Sequence, residues 1–127
     1  MTSTSVDLSG QGRGVLMEEA IIVAKCMEFN RALTTLVLAS NDIGVPDGWS
    51  TERNFMGAIE NYKHADGRTQ KERPQGTSSG IVALAKALEV NRALNSVDLR
   101  DNRIKNAGKQ QLRDAVKGKS ITLRLRL

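Results

Sequence analysis

Residues 33 to 41 read LTTLVLASN and residues 94 to 102 read LNSVDLRDN. Each stretch places an apolar residue, two free positions, a second apolar, one free, a third apolar, two free and then an asparagine. The match extends backwards without a gap: GIVALAKALEVNRALNSVDL, from Gly80, lies on EAIIVAKCMEFNRALTTLVL, from Glu19, with Asn91 on Asn30, Arg92 on Arg31, Ala93 on Ala32 and Leu94 on Leu33. A forward shift of 28 residues sets Gly80 on Gly108, Leu84 on Leu112, Val97 on Leu125 and Leu99 on Leu127. Self-similarity at a fixed spacing of this size is the mark of one supersecondary unit stacked on copies of itself.

The unit can be read from its periods. Val97 and Leu99 lie two apart and share one face of a strand, so Asp98 and Arg100 face the other way. Ala107, Leu112, Ala115 and Val116 then recur at spacings near three and four, which predicts a helix with one apolar side. The sets Val82, Leu84, Ala85, Leu88 and Ile21, Ile22, Val23, Met27 predict the same. Neither element hides its apolar face alone, whereas stacked strand and helix units bury both in a shared core. Asn41 and Asn102 fall where each strand ends, and a buried amide there bonds backbone groups that the turn leaves unpaired. The predicted class is α/β: one domain over residues 1–127, with a parallel sheet of about four short strands and helices on one side.

LTTLVLASNDIG and LNSVDLRDNRI, followed by GIVALAKALEVNRA and AGKQQLRDAVKGKS, resemble leucine-rich repeat proteins of the ribonuclease-inhibitor class. A worn first copy begins at VDLSGQ, with Gln11 in the asparagine place. The resemblance implies a curved solenoid with helices on the convex side, and a scaffold that binds other proteins through exposed strand positions of its concave face. Carried onto this chain, those positions are Asp7, Ser9, Val37, Ala39, Asp98, Arg100, Arg124 and Arg126. Val37 and Ala39 would form an apolar spot flanked by charge, suited to a protein contact. The family's inhibitors are acidic and rich in cysteine; this chain carries a net charge of +5 and one cysteine, so that activity is not carried over.

One block does not repeat. Leu38 and Gly80 are separated by 42 residues, but Leu99 and Gly108 by 9, leaving a surplus of 33 at about residues 45–77 in the second unit. No L-x-L followed by asparagine occurs there, and Gly67, Pro74 and Gly76 punctuate its second half, so it reads as an insertion rather than a further unit. It holds the only tryptophan, Trp49, the only tyrosine, Tyr62, and the only histidine, His64. STERNFMGAIENY predicts a short helix with Phe55, Ile59 and Tyr62 on one side, and Ala65-Asp66-Gly67 predicts a tight turn between two short strands. Trp49, Phe55 and Tyr62 are expected to pin the insert to its scaffold. Because tryptophan, tyrosine and arginine dominate interface energetics, Trp49, Tyr62, His64, Arg68 and Arg73 are its candidate partner-binding residues.

Composition excludes several classes. Hydrophobic residues are 39% and charged residues 26%, which fits a folded domain rather than a disordered tail. The longest apolar stretch, at residues 20–24, is too short for a bilayer, so no membrane association is expected. The opening MTSTSVDLSGQG lacks a basic leader and an apolar run, and the expected location is intracellular, in the cytoplasm. Cys26 has no partner for an internal disulfide and falls in a helical run, where it is expected to be a core thiol. From Arg103 onward eight basic residues face one acid, Asp114. That charge would suit nucleic acid, but no aromatic follows Tyr62, so stacking platforms are missing and nucleic acid is disfavoured as a partner.

Catalytic patterns fall short. In GQGRG, Gly10, Gly12 and Gly14 sit between a strand and a helix, but a dinucleotide fingerprint needs its third glycine at position 15, which is Val15. A small-molecule or nucleotide site at this turn is the alternative to protein binding. His64 has Asp66 nearby but no identifiable nucleophile, and is expected to be an exposed loop histidine. One histidine and one cysteine cannot make a usual zinc site, and no cofactor is implied. The chain therefore reads as a non-catalytic protein-interaction module. Because ITLRLRL runs to the final residue, Arg124, Leu125 and Leu127 are expected on an uncovered strand edge that is occupied either by a second copy of the chain, forming a homodimer, or by a partner.

Overall fold

The structure, a computed structural model, describes residues 5–9, 17–76 and 78–125. It is a mixed α/β fold. In chain order the elements are β1 (Ser5–Asp7), α1 (Met17–Phe29), β2 (Thr35–Val37), β3 (Trp49–Arg53), β4 (Ile59–His64), β5 (Thr69–Gln70), α2 (Ser79–Val90), β6 (Ser96–Asp98), α3 (Asn106–Ala115) and β7 (Thr122–Arg124). Four strands form one parallel sheet in the order β1-β2-β6-β7. Residues 10–14, Arg126 and Leu127 lie outside the described residues.

The two asparagine motifs lie side by side: Leu36 is in register with Val97, and Val37 with Asp98. Val6 and Leu123 extend the same row to both edges. Val97 and Leu99 are buried, as alternation requires, together with Leu36 and Leu38. The core they join includes Ala20, Ala24 and Met27 of α1, Leu84 and Leu88 of α2 and Leu112 of α3. Each leucine, valine or methionine among them contributes about 2 kcal/mol by leaving water. All three helices therefore cover one face of the parallel sheet.

The asparagines close the turns. Asn102 donates through Nδ2 to the carbonyls of Leu99 and Leu38, and Asn41 donates to those of Leu38 and Leu8. A second pair works where helix gives way to strand: Asn91 Oδ1 accepts from the amides of Ala93 and Leu94, and Asn30 Oδ1 from those of Ala32 and Leu33. Ser78 caps α2, accepting from the amide of Ile81.

Three residues expected in the helical core are exposed. Ile22 is 64% exposed and Cys26 is exposed, instead of both lying in the core. The gapless superposition puts them on Ala83 and Ala87 of α2. On α2, Val82, Ala85 and Glu89 border α3, so Ala83 and Ala87 lie on the side turned to α1, where Ala87 is buried. Among the described residues α1 has no helix before it, and the same two positions meet solvent. Val82, also expected in the core, is exposed at the border with α3.

The segment between β2 and α2 builds a second sheet, antiparallel, in the order β3-β4-β5. The helix expected across STERNFMGAIENY is replaced by β3, a turn and β4. Asn54 Oδ1 accepts from the amides of Met56 and Ala58, the amide of Asn54 donates to the Ala58 carbonyl, and Gly57 takes a φ of +85°. That reversal is incompatible with a continuous helix, and Trp49, Thr51, Ile59 and Tyr62 are residue types that favour strands. The turn expected at 65–67 is present between β4 and β5, with Gly67 donating to the His64 carbonyl.

Candidate functional site

The open face of the parallel sheet is built from residues flanking the core row. One register line runs Ser5, Thr35, Ser96, Thr122, and the other Asp7, Val37, Asp98, Arg124. Val37 is half-buried between Asp7 and Asp98, and Ala39 is half-buried just beyond it. Asp98 is buried and takes a two-pronged bond from Arg100, with Nε to Oδ1 at 2.9 Å and Nη2 to Oδ2 at 2.7 Å. Those bonds hold its carboxyl below the ordinary aspartate range against the opposing effect of burial, and Arg124 adds a smaller pull in the same direction. Asp7 is also lowered, through bonds from the Ser9 hydroxyl and amide. The face is thus a hydroxyl line beside a line of fixed charges.

The antiparallel sheet gathers a second group. Trp49 and His64 are cross-strand partners whose rings meet edge to face, 4.9 Å apart between centroids. The Arg68 guanidinium lies 5.7 Å from the Trp49 ring centroid and binds Asp66, whose carboxyl is lowered chiefly by the backbone amide of Arg68. His64 is therefore a half-buried strand residue, not a loop histidine: its Nδ1 accepts from the amide of Asp66, and its ring packs on Trp49. Trp49, His64 and Arg68 come together in one cluster.

Tyr62 does not join them. It is 7% exposed and faces inward. Nor does Arg73, which lies beyond β5 in a cavity lined also by Arg103 and Lys109. Leu125 lines that cavity too and packs partly against the core, just beyond Arg124 of the edge strand β7. The sheet is tied to the first asparagine turn by Asp42, which is buried and accepts from Thr51 at 2.7 Å and Arg53 at 2.5 Å.

Phe55 was expected to be an anchor and is 98% exposed; its neighbour Met56 is 79% exposed. Both stand at the tip between β3 and β4, on a turn fixed by the Asn54 bonds and by Arg53 Nη1 donating to the Gly57 carbonyl. Period alone assigned Phe55 to a helix. The signal that finds it is Asn54 with Gly57, which marks a turn and so a tip.

Among the described residues, no group of three or more His, Cys, Asp and Glu side chains could hold a metal ion, and no helix is long and apolar enough to cross a membrane. Neither a protein-family model nor a curated protein matches the chain.

Proposed function

We propose that the chain is a non-catalytic protein-interaction module: a short leucine-rich repeat solenoid whose second unit carries an inserted sheet, with contacts made by the inserted sheet and the open strand face. The observation that carries this reading is the tip at Phe55 and Met56. Two large apolar side chains face solvent on a turn braced by at least four hydrogen bonds. A disordered loop could turn such residues inward. A braced tip holds them out, and exposed apolar area on a rigid support lowers the ordering cost of binding. The Trp49, His64 and Arg68 cluster on the same sheet adds the residue types that anchor interfaces.

The repeat assignment rests on the register of Leu36 with Val97 and on the asparagine bonds shared by both motifs. The open face offers Val37 and Ala39 between Asp98–Arg100 and Asp7 as a second contact. The partner is a protein, and the place of action is the cytoplasm. Self-association along β7, an edge strand in the sheet order, belongs to the same reading.

The deciding experiment compares partners retained by the whole chain with those retained by Phe55→Asp/Met56→Asp, after circular dichroism shows equal folding. A partner that binds the purified chain directly and is lost from the double variant supports the reading. Direct partners that ignore the double variant and also ignore Val37→Asp would remove it. Light scattering on the chain and on Leu125→Asp tests the dimer: a monomer at tens of micromolar in both would dismiss self-association.

A further inference from the structure

Arg73 is the one described arginine with two buried side-chain nitrogens, Nε and Nη2, that find no hydrogen-bond partner. Buried polar groups are bonded almost without exception, and a guanidinium is the costliest kind to leave unmatched. Its position is fixed by the chain that follows it. Pro74, next in sequence, is fully buried, and Lys105 Nζ donates to the Pro74 carbonyl at 2.9 Å and to Gln75 Oε1 at 3.2 Å. The returning arm of the inserted sheet is thereby fastened to the start of α3, with Arg73 turned toward the second asparagine turn.

There it lines a cavity of about 290 Å³ together with Arg103, Lys109, Asp101 and the apolar side chains of Leu99 and Leu125. Among the described residues, three cations and one carboxylate converge there. The carboxylate, Asp101, also acts on Arg100, so it is not dedicated to the cavity. Arg103 pushes the Arg73 guanidinium down, after the larger effect of burial, as a like charge held close does. Tyr62 acts in the opposite sense.

We propose that this cavity binds a phosphomonoester group, with Arg73, Arg103 and Lys109 donating to its oxygens. Among the described lining residues the excess of two positive charges equals the charge of the phosphate dianion, and Arg73, whose Nε and Nη2 lack a partner, brings a guanidinium, the fork-shaped donor that phosphate oxygens accept. A volume at the lower limit for small-molecule sites suits the phosphate and the atoms next to it, not a whole large ligand. The site joins the inserted sheet to the second asparagine turn, and it is independent of the tip at Phe55.

The test titrates the whole chain with inorganic phosphate, adenosine monophosphate and a phosphoserine tripeptide at constant ionic strength, following arginine Nε and backbone amide resonances. The expected result is a saturable shift at Arg73 Nε and at residues 101–109 by about 10 mM phosphate, which fills roughly nine-tenths of a site with a Kd of about 1 mM. Affinity falls by about tenfold or more in Arg73→Met and in Lys109→Gln, each removing one charge-assisted donor. Lys109 lies on the surface of α3, so its variant keeps the test open if Arg73→Met does not fold. Tighter binding of the nucleotide identifies a free phosphorylated ligand, and tighter binding of the peptide a phosphorylated partner; both support the site. Shifts that follow salt without saturating, or that persist unchanged in either folded variant, overturn it.

Discussion

Asn102 donates through Nδ2 to the carbonyl of Leu38, at 2.7 Å, across 64 residues of chain. The same amide group serves Leu99 and Arg100, while its Oδ1 accepts from the amide of Ile43. A side chain that is 1% exposed thus ties the end of β6 to the end of β2. Asn102→Ala strands these backbone groups in the interior and is expected to cost about 3 kcal/mol. Asn30, which makes similar amide bonds at an exposed position, is expected to cost only about 1 kcal/mol as Asn30→Ala. Urea midpoints of the two variants, measured side by side, check the order.

Gly44 carries the close approach of the two asparagine turns. Its amide donates to the Asn102 carbonyl at 2.7 Å, and a Cβ there would stand 2.5 Å from the Arg103 carbonyl oxygen. Backbone cannot step aside as a flexible side chain can, so Gly44→Ala is expected to lose about 2–3 kcal/mol. Gly57 makes the control. It needs its φ of +85° but has open space around it, and Gly57→Ala is expected to lose about 1 kcal/mol from backbone strain alone. Thermal melts of both variants distinguish crowding from strain.

The parallel sheet was legible because its information is local and repeated: two asparagine motifs set Leu36 against Val97 with no knowledge of the third dimension. The exposure of Ile22 and Cys26 was not, because a repeat pattern records which side of a helix is apolar and not whether a neighbour covers it. Phe55, Ile59 and Tyr62 fit a helical period by coincidence. What sets the strands there is the Asn54 turn, whose bonds outweigh a spacing of three and four. The meeting of Arg73 with Arg103 and Lys109 had no sequence signal, since it follows from the arm carrying Pro74 being fastened onto Lys105.

Acid is expected to weaken the sheet through Asp98. Its carboxyl titrates below the ordinary value of 3.8 in the folded chain, because Arg100 bonds the ionised form. A folded value below the unfolded one means stabilisation that is fully present above about pH 4 and is lost as pH falls through the folded value. Asp98→Asn lacks this term, so its stability is expected to fall less steeply than that of the parent over the same acid range. Urea midpoints at a series of pH values between about 5 and 2 check the difference in slope.

Asp42 joins the two sheets. Arg53 and Thr51 both bond its carboxylate, and Arg53 already holds a buried Nε without a partner. Asp42→Ala leaves a largely buried guanidinium uncompensated and is expected to cost about 3 kcal/mol, against about 1 for Thr51→Val. Hydrogen exchange localises the effect. Amides of β3 and β4 are expected to exchange faster in Asp42→Ala, while those of β2 and β6 change less, because the asparagine bonds remain.

Tyr62 in β4 and Phe55 on the turn that joins β3 to β4 are expected to answer to different experiments. Tyr62 is buried, so Tyr62→Ala opens a cavity and is expected to cost about 3 kcal/mol in any stability assay. Phe55 has almost no area to lose from a core, and Phe55→Ser is expected to shift the melting midpoint by no more than about 0.5 kcal/mol of stability. If its role is contact, the same substitution weakens a direct partner by about 2 kcal/mol, the scale of an aromatic anchor at an interface. A Phe55→Ser protein that melts early would mean that the ring packs in solution, and the tip would then lose its standing as a contact surface.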